Sequence, residues 1–303
     1  MIRILASDGI DKAAALELKN LGYELVEEFH EPEQLGKQLN NYDVLVVRSA
    51  TKVRQPVIDA ALETGRLKLI IRGGVGVDNI DVAYAKEKGI MVTNTPNASS
   101  ASVAELTIGH MFAVARFIAL SNVTMRDGKW EKKKYKGIEL SGKTLGLVGF
   151  GRISREVAKK ASALGMNVIY TDILGKAVGV DNYEFCSFED VIKKSDFISL
   201  HVPFIKENGA VIGEKEFSMM KDGAYIINCA RGGVVCETAL LNALNSGKIA
   251  GAGIDVFAEE PSKNVELINH PNVSVTPHIG ASTFEAQTRI GAEIVSIIKE
   301  FFN

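Results

Sequence analysis

The stretch Thr144-Leu145-Gly146-Leu147-Val148-Gly149-Phe150-Gly151-Arg152-Ile153-Ser154 decides the fold. An apolar, β-favouring run over 144–148 feeds directly into two glycines spaced two apart, and then into a helical stretch, Arg155–Leu164. Gly149 permits a tight turn. Gly151 lets the backbone approach a pyrophosphate, whose charge is favoured by the free N–H groups and dipole at a helix start. The third position of the pattern is Ser154; glycine there serves close helix–strand packing, and serine is the next least intrusive residue. The following strand, Met166–Thr171, ends on Asp172, 23 positions after Gly149. A carboxylate so placed accepts hydrogen bonds from ribose hydroxyls and repels a 2′-phosphate. Two glycines alone are a weak signal. With the strand, the helix and Asp172 around them they predict a dinucleotide-binding unit that takes NAD rather than NADP.

Outward from this stretch the chain keeps one rhythm, short β-rich runs alternating with amphipathic helical segments, the pattern of βαβ units around parallel sheets. On the N-terminal side the strands read as Arg3–Ala6, Tyr23–Val26, Val44–Val47, Leu67–Ile71 and Met91–Asn94, with helices at Lys12–Leu21 and Val82–Lys88. Beyond the glycine turn come strands at Asn167–Thr171, Phe197–His201, Ala224–Asn228, Ala252–Val256 and Val273–Thr276. One long helix from Ala101 to about Val123 and another from Ser282 to Phe302 bracket the central block. We therefore expect a central domain, 99–281, inserted into a discontinuous one made of 1–98 and 282–303, with the reactive cleft between them.

Bulk composition excludes several function classes. Lys plus Arg (35) nearly balance Asp plus Glu (37), for a net charge of −2, so neither nucleic acid nor an acidic membrane is expected as partner. The apolar run 106–120 carries His110 and Arg116 and falls short of the ~20 residues of a membrane span. The three cysteines, Cys186, Cys229 and Cys236, form no CxxC pair, which argues against a metal site or disulfide framework. The chain opens on a strand-like 2–5 rather than a basic-then-apolar leader, so a cytoplasmic setting is expected.

Candidates for chemistry lie at strand ends, where open α/β sheets place their ligands. Hydride transfer needs a proton-transfer group and a cation for an anionic substrate. Of five histidines, His30 reads as a loop residue, His110 as helical and His270 as part of a surface turn before Pro271. His201 and His278 both end strands and compete from position alone. Arg231 sits on a glycine-flanked loop, Asn228-Cys229-Ala230-Arg231-Gly232-Gly233. Asp255 falls within an apolar strand that leads into Glu259-Glu260-Pro261, a costly place for a carboxylate without partners. A second glycine cluster, Gly73-Gly74-Val75-Gly76, follows a strand, but no acidic residue closes the next one. Its backbone N–H groups suit a carboxylate better than a second dinucleotide.

Taken in order, 47–52, 72–81, 94–97, 126–130, 142–157, 228–234, 255–261 and 276–282 span nearly the whole chain, and with them it resembles the D-isomer-specific 2-hydroxyacid dehydrogenases. Within them it resembles the branch that oxidises 3-phospho-D-glycerate to 3-phosphohydroxypyruvate in serine biosynthesis. The resemblance implies a Rossmann-type NAD domain inserted into a flavodoxin-like substrate domain. It implies that Arg231 binds the substrate carboxylate and carbonyl, that His278 moves the proton and that Glu260 pairs with His278. Cofactor contacts would come from Val75, Gly149, Gly151, Arg152, Ile153, Asp172, Val202, Cys229, Ala230, Arg231, Asp255, His278, Ile279, Gly280 and Ala281. Gly74, Val75 and Gly76 would hold the substrate carboxylate. Arg48 and Arg72 would face a substrate phosphate, and Lys132 or Lys133 would reach in from a partner subunit of a homodimer. Alternatives within the family are a glyoxylate/hydroxypyruvate reductase or a D-lactate dehydrogenase; outside catalysis, an NAD-sensing corepressor-like protein. The chain ends just after the closing helix, so the regulatory domain of longer relatives, and serine feedback through it, are not expected.

Overall fold

The computed structural model describes residues 1–302. It divides the chain into two compact units, Met1–Ser99 joined by the segment from Ala281 onward, and Ser100–Gly280.

In the first unit the elements follow as β1 (Arg3–Ala6), α1 (Lys12–Asn20), β2 (Glu24–Val26), α2 (Pro32–Gln38), β3 (Val44–Val47), α3 (Gln55–Ala60), β4 (Leu69–Arg72), α4 (Val82–Glu87) and β5 (Met91–Asn94). Their sheet is parallel throughout, in the order β2-β1-β3-β4-β5, the flavodoxin-like arrangement. Alternate residues bury on opposite faces, Leu5, Leu45 and Ile70 on one and Ile4, Val44, Leu69 and Ile71 on the other. That is why these strands read as continuous apolar runs.

The second unit holds α5 (Ser100–Ala115), α6 (Ile118–Arg126), β6 (Thr144–Val148), α7 (Arg152–Ala163), β7 (Asn167–Thr171), β8 (Glu184–Phe185), α8 (Phe188–Lys194), β9 (Phe197–Leu200), α9 (Glu214–Met219), β10 (Ala224–Asn228), α10 (Glu237–Asn245), β11 (Ile249–Ile254), α11 (Val265–Ile268) and β12 (Val273–Val275). Its seven strands run in the order β12-β11-β10-β9-β6-β7-β8, all parallel. The order reverses between β6 and β9, the topological switch point of a Rossmann sheet. The closing helix α12 (Phe284–Phe302) returns to the first unit. Ile290, Ile294, Val295 and Ile298 join its core, and Gly291 lets α12 sit against α1, since a Cβ there would lie 2.7 Å from Ala14 Cβ.

Three readings need correction. The long helix after residue 100 is two helices bent by 64°, with Phe117 between them at φ 54°. Its cause is a competing donor. Ile138 N–H bonds the Ala115 carbonyl at 3.0 Å, occupying the acceptor that the next helical turn would use. Asp255 is not within a strand but one residue past β11. The helix after the glycine turn starts at Arg152, three residues earlier than its sequence pattern indicated. No single helix among the described residues is long and apolar enough to cross a membrane.

Candidate active site

Strand register builds the site. Val148 pairs with Leu200, Leu200 with Asn228, Asn228 with Ile254 and Ile254 with Val275. The next residue along each strand, Gly149, His201, Cys229, Asp255 and Thr276, therefore stands in one row on the carboxyl edge of the sheet. Most second-unit cofactor and catalytic candidates lie on this row or where the chain leaves it, with Asp172 following the neighbouring β7, whose Thr171 pairs with Val148; Lys132 and Lys133 lie elsewhere in the unit.

The cofactor end sits at the switch point. Gly149 has φ 87°, and a Cβ there would meet His201 O at 2.6 Å and Val202 Cγ1 at 2.8 Å, so only glycine turns the chain here. A Cβ at Gly151 would meet nothing within 4 Å, which leaves room for a phosphate against the backbone. Gly151 also caps α7 without any side-chain hydrogen bond, so side chains do not occupy the first-turn N–H groups. Arg152 is exposed and Ile153 half-buried at that turn. Asp172 accepts from Phe150 N–H at 2.7 Å and Leu174 N–H at 2.9 Å, which fixes its carboxylate beside the glycine turn. The open glycine turn, uncapped helix start and anchored acid fit a dinucleotide. Ser154, in the first turn of α7, is wholly buried, and its Oγ has no hydrogen-bond partner.

The reactive end joins three loops. Asn228 is buried; its side chain accepts from Ala230 N–H at 3.1 Å and donates to Arg231 O at 2.9 Å, curling the 229–231 loop. Gly232 presses that loop onto the next, for a Cβ there would lie 1.7 Å from Phe257 O. Glu237 ties down the second loop through Ala258 N–H and Asn264 Nδ2, both at 2.8 Å. Glu260 Oε1 accepts from Phe257 N–H at 3.2 Å, while its Oε2 stands 2.8 Å from His278 Nδ1. Arg231, Glu260 and His278 are thus gathered at one place. Burial works to raise the Glu260 pKa, but the His278 hydrogen bond and charge, the Phe257 N–H and the Arg231 charge outweigh it and hold the carboxylate below its ordinary value. With Nδ1 committed to Glu260, Nε2 is the ring nitrogen left to exchange a proton with a ligand.

His201 does not share this geometry. Its Nε2 bonds Ser199 Oγ at 2.9 Å, and burial pushes the imidazole down to about 3, so it stays neutral throughout the working range. Cys229 is likewise enclosed, its thiol pushed up to about 12. Asp255 is 1% exposed and accepts from Thr276 Oγ1 at 2.5 Å, Ile279 N–H at 2.8 Å and Gly280 N–H at 2.9 Å. These donors are the partners that a buried carboxylate requires. Sequence reasoning passed over Asn228, Gly232 and Glu237. The Asn two residues before Ala230 and the Gly-Gly pair were visible signals, whereas the Glu237 contact is long-range.

The remaining candidates belong to the first unit. Arg48 and Arg72 leave the carboxyl ends of β3 and β4. Asp8 Oδ2 accepts from Arg48 N–H at 2.6 Å and Thr51 N–H at 3.1 Å. Asn79 Nδ2 donates to Arg48 O at 2.8 Å and Thr51 O at 2.7 Å, so the loop of Arg48 is clamped from both sides. The guanidinium of Arg72 lies over Gly74, where a Cβ would be 1.5 Å from Nη1. Thr95 N–H bonds Gly74 O at 3.0 Å, and Asn94 Nδ2 donates to Val75 O, which holds the 74–76 loop against β5. Ala281 opens the first unit's C-terminal segment.

Comparison with known proteins agrees with this geometry. Residues 108–280 match the D-isomer specific 2-hydroxyacid dehydrogenase, NAD binding domain, family. The chain belongs to the D-isomer specific 2-hydroxyacid dehydrogenases. Within that family it is 48% identical over 303 residues to a hydroxypyruvate reductase of Thermotoga maritima, covering 98% of each chain. It is 46% identical to a D-3-phosphoglycerate dehydrogenase of Methanocaldococcus jannaschii, where it covers 99% of this chain and 57% of the relative. Among solved structures, a glyoxylate reductase from Paecilomyes thermophila superposes with TM-score 0.89 at 32% identity, over 98% of this chain and 94% of that one. The D-lactate dehydrogenase of Aquifex aeolicus, complexed with NAD and lactic acid, gives 0.85 at 31%, over 99% and 95%. The chain is accordingly an NAD-dependent D-2-hydroxyacid oxidoreductase.

Proposed function

We propose that this D-2-hydroxyacid dehydrogenase oxidises 3-phospho-D-glycerate to 3-phosphohydroxypyruvate. The observation that carries the substrate is the pair Arg48 and Arg72 beside the glycine loop. Arg72 lies over Gly74, and Arg48 Cγ comes within 3.7 Å of where a Gly73 Cβ would be. One guanidinium over the loop and a second arginine anchored beside it suit a small acid that carries a phosphate as well as a carboxylate.

When bound, NAD would supply the hydride acceptor for substrate C2. In this reading Arg231 holds the substrate carboxylate and the C2 oxygen, and His278 Nε2 takes the hydroxyl proton as the hydride departs. Glu260 receives the Nδ1 proton's hydrogen bond, fixes the ring and stabilises the imidazolium that forms. Gly74, Val75 and Gly76 offer N–H groups to the carboxylate. Asp172 would take the adenosine ribose, Gly149, Gly151, Arg152 and Ile153 would flank the pyrophosphate, Cys229, Ala230 and Asp255 would line the nicotinamide end, and Val202 and 278–281 would complete the cofactor contacts.

A second reading, hydroxypyruvate reduction, is favoured by the Thermotoga maritima relative, which matches along nearly its full length. One assay separates them. NADH oxidation is followed with phosphohydroxypyruvate, hydroxypyruvate, glyoxylate and pyruvate side by side, and kcat/KM is expected to be highest for the phosphorylated acid. A higher value for hydroxypyruvate would overturn the substrate assignment in favour of the second reading. His278→Asn is expected to lower turnover by about 10²-fold or more while NADH still binds; unimpaired turnover would remove His278 from its role.

We further infer a homodimer formed through the second unit. α6 buries no residue within its own chain, yet Ile118 and Met125 on it are 51% and 53% exposed and Trp130 just beyond is 79% exposed. Apolar exposure on that scale is what a partner surface provides, and Lys132 or Lys133 would then reach the other subunit's site. Sedimentation showing a monomer at micromolar concentration would count against it. The free cysteines accord with the reducing cytoplasm we assign to it.

A further inference from the structure

His110, which the chemistry above does not use, is 2% exposed in the middle of α5. Room for it comes from Gly253 on β11, where a Cβ would stand 2.6 Å from His110 Cβ. Both ring nitrogens are engaged, Nδ1 with Ser274 Oγ at 3.0 Å and Nε2 with Thr276 Oγ1 at 3.0 Å. The Thr276 hydroxyl has one proton, and at 2.5 Å it goes to Asp255 Oδ1, because an ionised carboxylate can only accept. Toward His110, then, Thr276 must accept. The network therefore assigns Nε2–H to His110 and makes its Nδ1 the acceptor of the Ser274 proton. Burial lowers the His110 pKa against the pull of Asp255, in keeping with a neutral ring.

The far end of this chain is the loop that carries His278. Asp255 accepts Ile279 N–H and Gly280 N–H on its two carboxylate oxygens at 2.8 and 2.9 Å, and His278 N–H on its backbone carbonyl at 2.8 Å. His278 itself has φ 54°, a left-handed backbone that a non-glycine residue keeps only when its surroundings impose it. Asp255 supplies that imposition from three directions, and Thr276 with His110 fixes Oδ1, the Asp255 oxygen that also accepts Ile279 N–H.

We propose that His110 is a positioning residue for His278, acting through Thr276 and Asp255. The proposal rests on the acid/base role of His278 given above. Remove the imidazole, and Thr276 loses the donor that turns its hydroxyl toward Asp255; the 278–280 backbone then relaxes and the His278 ring drifts from the reacting oxygen.

The test compares His110→Leu, His110→Gln, Thr276→Val and the His110→Leu/Thr276→Val double variant with the wild type, alongside His278→Asn. His110→Leu and Thr276→Val are each expected to lower kcat about 10-fold or more, an ångström of misplacement being worth up to about 10²-fold, and to weaken NADH binding, to which 279 and 280 contribute, by a smaller factor than they lower kcat, as read by fluorescence titration. Gln, which can donate to Thr276 and accept from Ser274, should restore most of the loss. The double variant should lose little more than either single one, since both break one relay. Thr276→Val carries the test should His110→Leu fail to fold. Wild-type kcat in Thr276→Val, or additive losses in the double variant, overturns the proposal. Nitrogen-15 NMR of the whole enzyme gives an answer independent of turnover, with His110 expected as the Nε2–H form; an Nδ1–H ring would overturn the relay. An active His278→Asn enzyme would instead overturn the acid/base reading itself, so the two failures are told apart.

Discussion

Ser154 stands where the dinucleotide turn commonly has its third glycine, and its hydroxyl is sealed into the helix–sheet contact with no partner. A buried hydroxyl without a hydrogen bond costs about 1–3 kcal/mol, and Ala is also the better helix former. Ser154→Ala is therefore expected to stabilise the protein by about 1 kcal/mol, read as a higher urea midpoint at unchanged m-value, with NADH affinity unaltered; a lower midpoint would mean that the hydroxyl does have a partner. Gly232 makes the opposite case. Its φ is ordinary, but a Cβ would sit 1.7 Å from Phe257 O and 2.2 Å from Phe257 C, so Gly232→Ala must push the Arg231 loop off the Glu260 loop. Turnover is expected to fall about 10²-fold with only a modest change in melting temperature, and near-normal turnover would show that the two loops need not touch. These two residues also mark what could be read at this scale. Ser154 was recognisable because a spacing pattern pointed at it, whereas the need for Gly232 arises from a backbone distant in sequence. Position along the chain left His201 and His278 in competition and the resemblance chose His278; the fold supplies the physical reason, since of the two only His278 meets a carboxylate.

At the scale of elements, the strands whose two faces are both buried were the legible ones, since every residue of β3, β9 and β10 is buried and the apolar run is unbroken. β8 is two residues long and exposed at both, so no hydrophobic pattern announces it. Nor does any glycine or proline mark the break between α5 and α6; it is set by a donor from residue 138, beyond the reach of local pattern. The fit of α5 to the sheet depends on Gly253 of β11, which looks, in sequence, like a poor strand former. At Gly253 a Cβ would meet His110 Cβ at 2.6 Å and Ile227 Cδ1 at 2.9 Å. Gly253→Ala is thus an overpacking substitution, expected to cost about 1–3 kcal/mol in chemical denaturation. A neutral or stabilising result would show that α5 can slide, and would weaken the case for a fixed His110.

For the whole molecule, the groups that matter for pH share one sign. Burial lowers the pKa of His201 to about 3 and lowers those of His110 and His270, each from an ordinary value of 6.5. Once unfolded, these rings take up protons as pH drops through 6.5; folded, they do not. Acid therefore favours the unfolded chain, and stability that is complete above 6.5 drains away as pH falls toward the folded values. Carboxylates add to the loss only later. Glu260, held below its ordinary 4.5, and Asp196, held below 3.8 by Lys221 and the Thr144 N–H against the effect of burial, keep their contribution until the pH nears those values. Histidine is thus expected to dominate between about pH 6.5 and about pH 4.5, and His201 within that window, with a slope of at most about 1.4 kcal/mol per pH unit for one ring. His201→Gln keeps a hydrogen bond to Ser199 Oγ without a titrating ring. Its urea midpoint is expected to fall less than the wild type's between about pH 7.5 and about pH 5, whatever the substitution costs at neutral pH. If both proteins lose stability in parallel over that range, His201 is already protonated in the fold, and its neutrality beside the glycine turn is wrong.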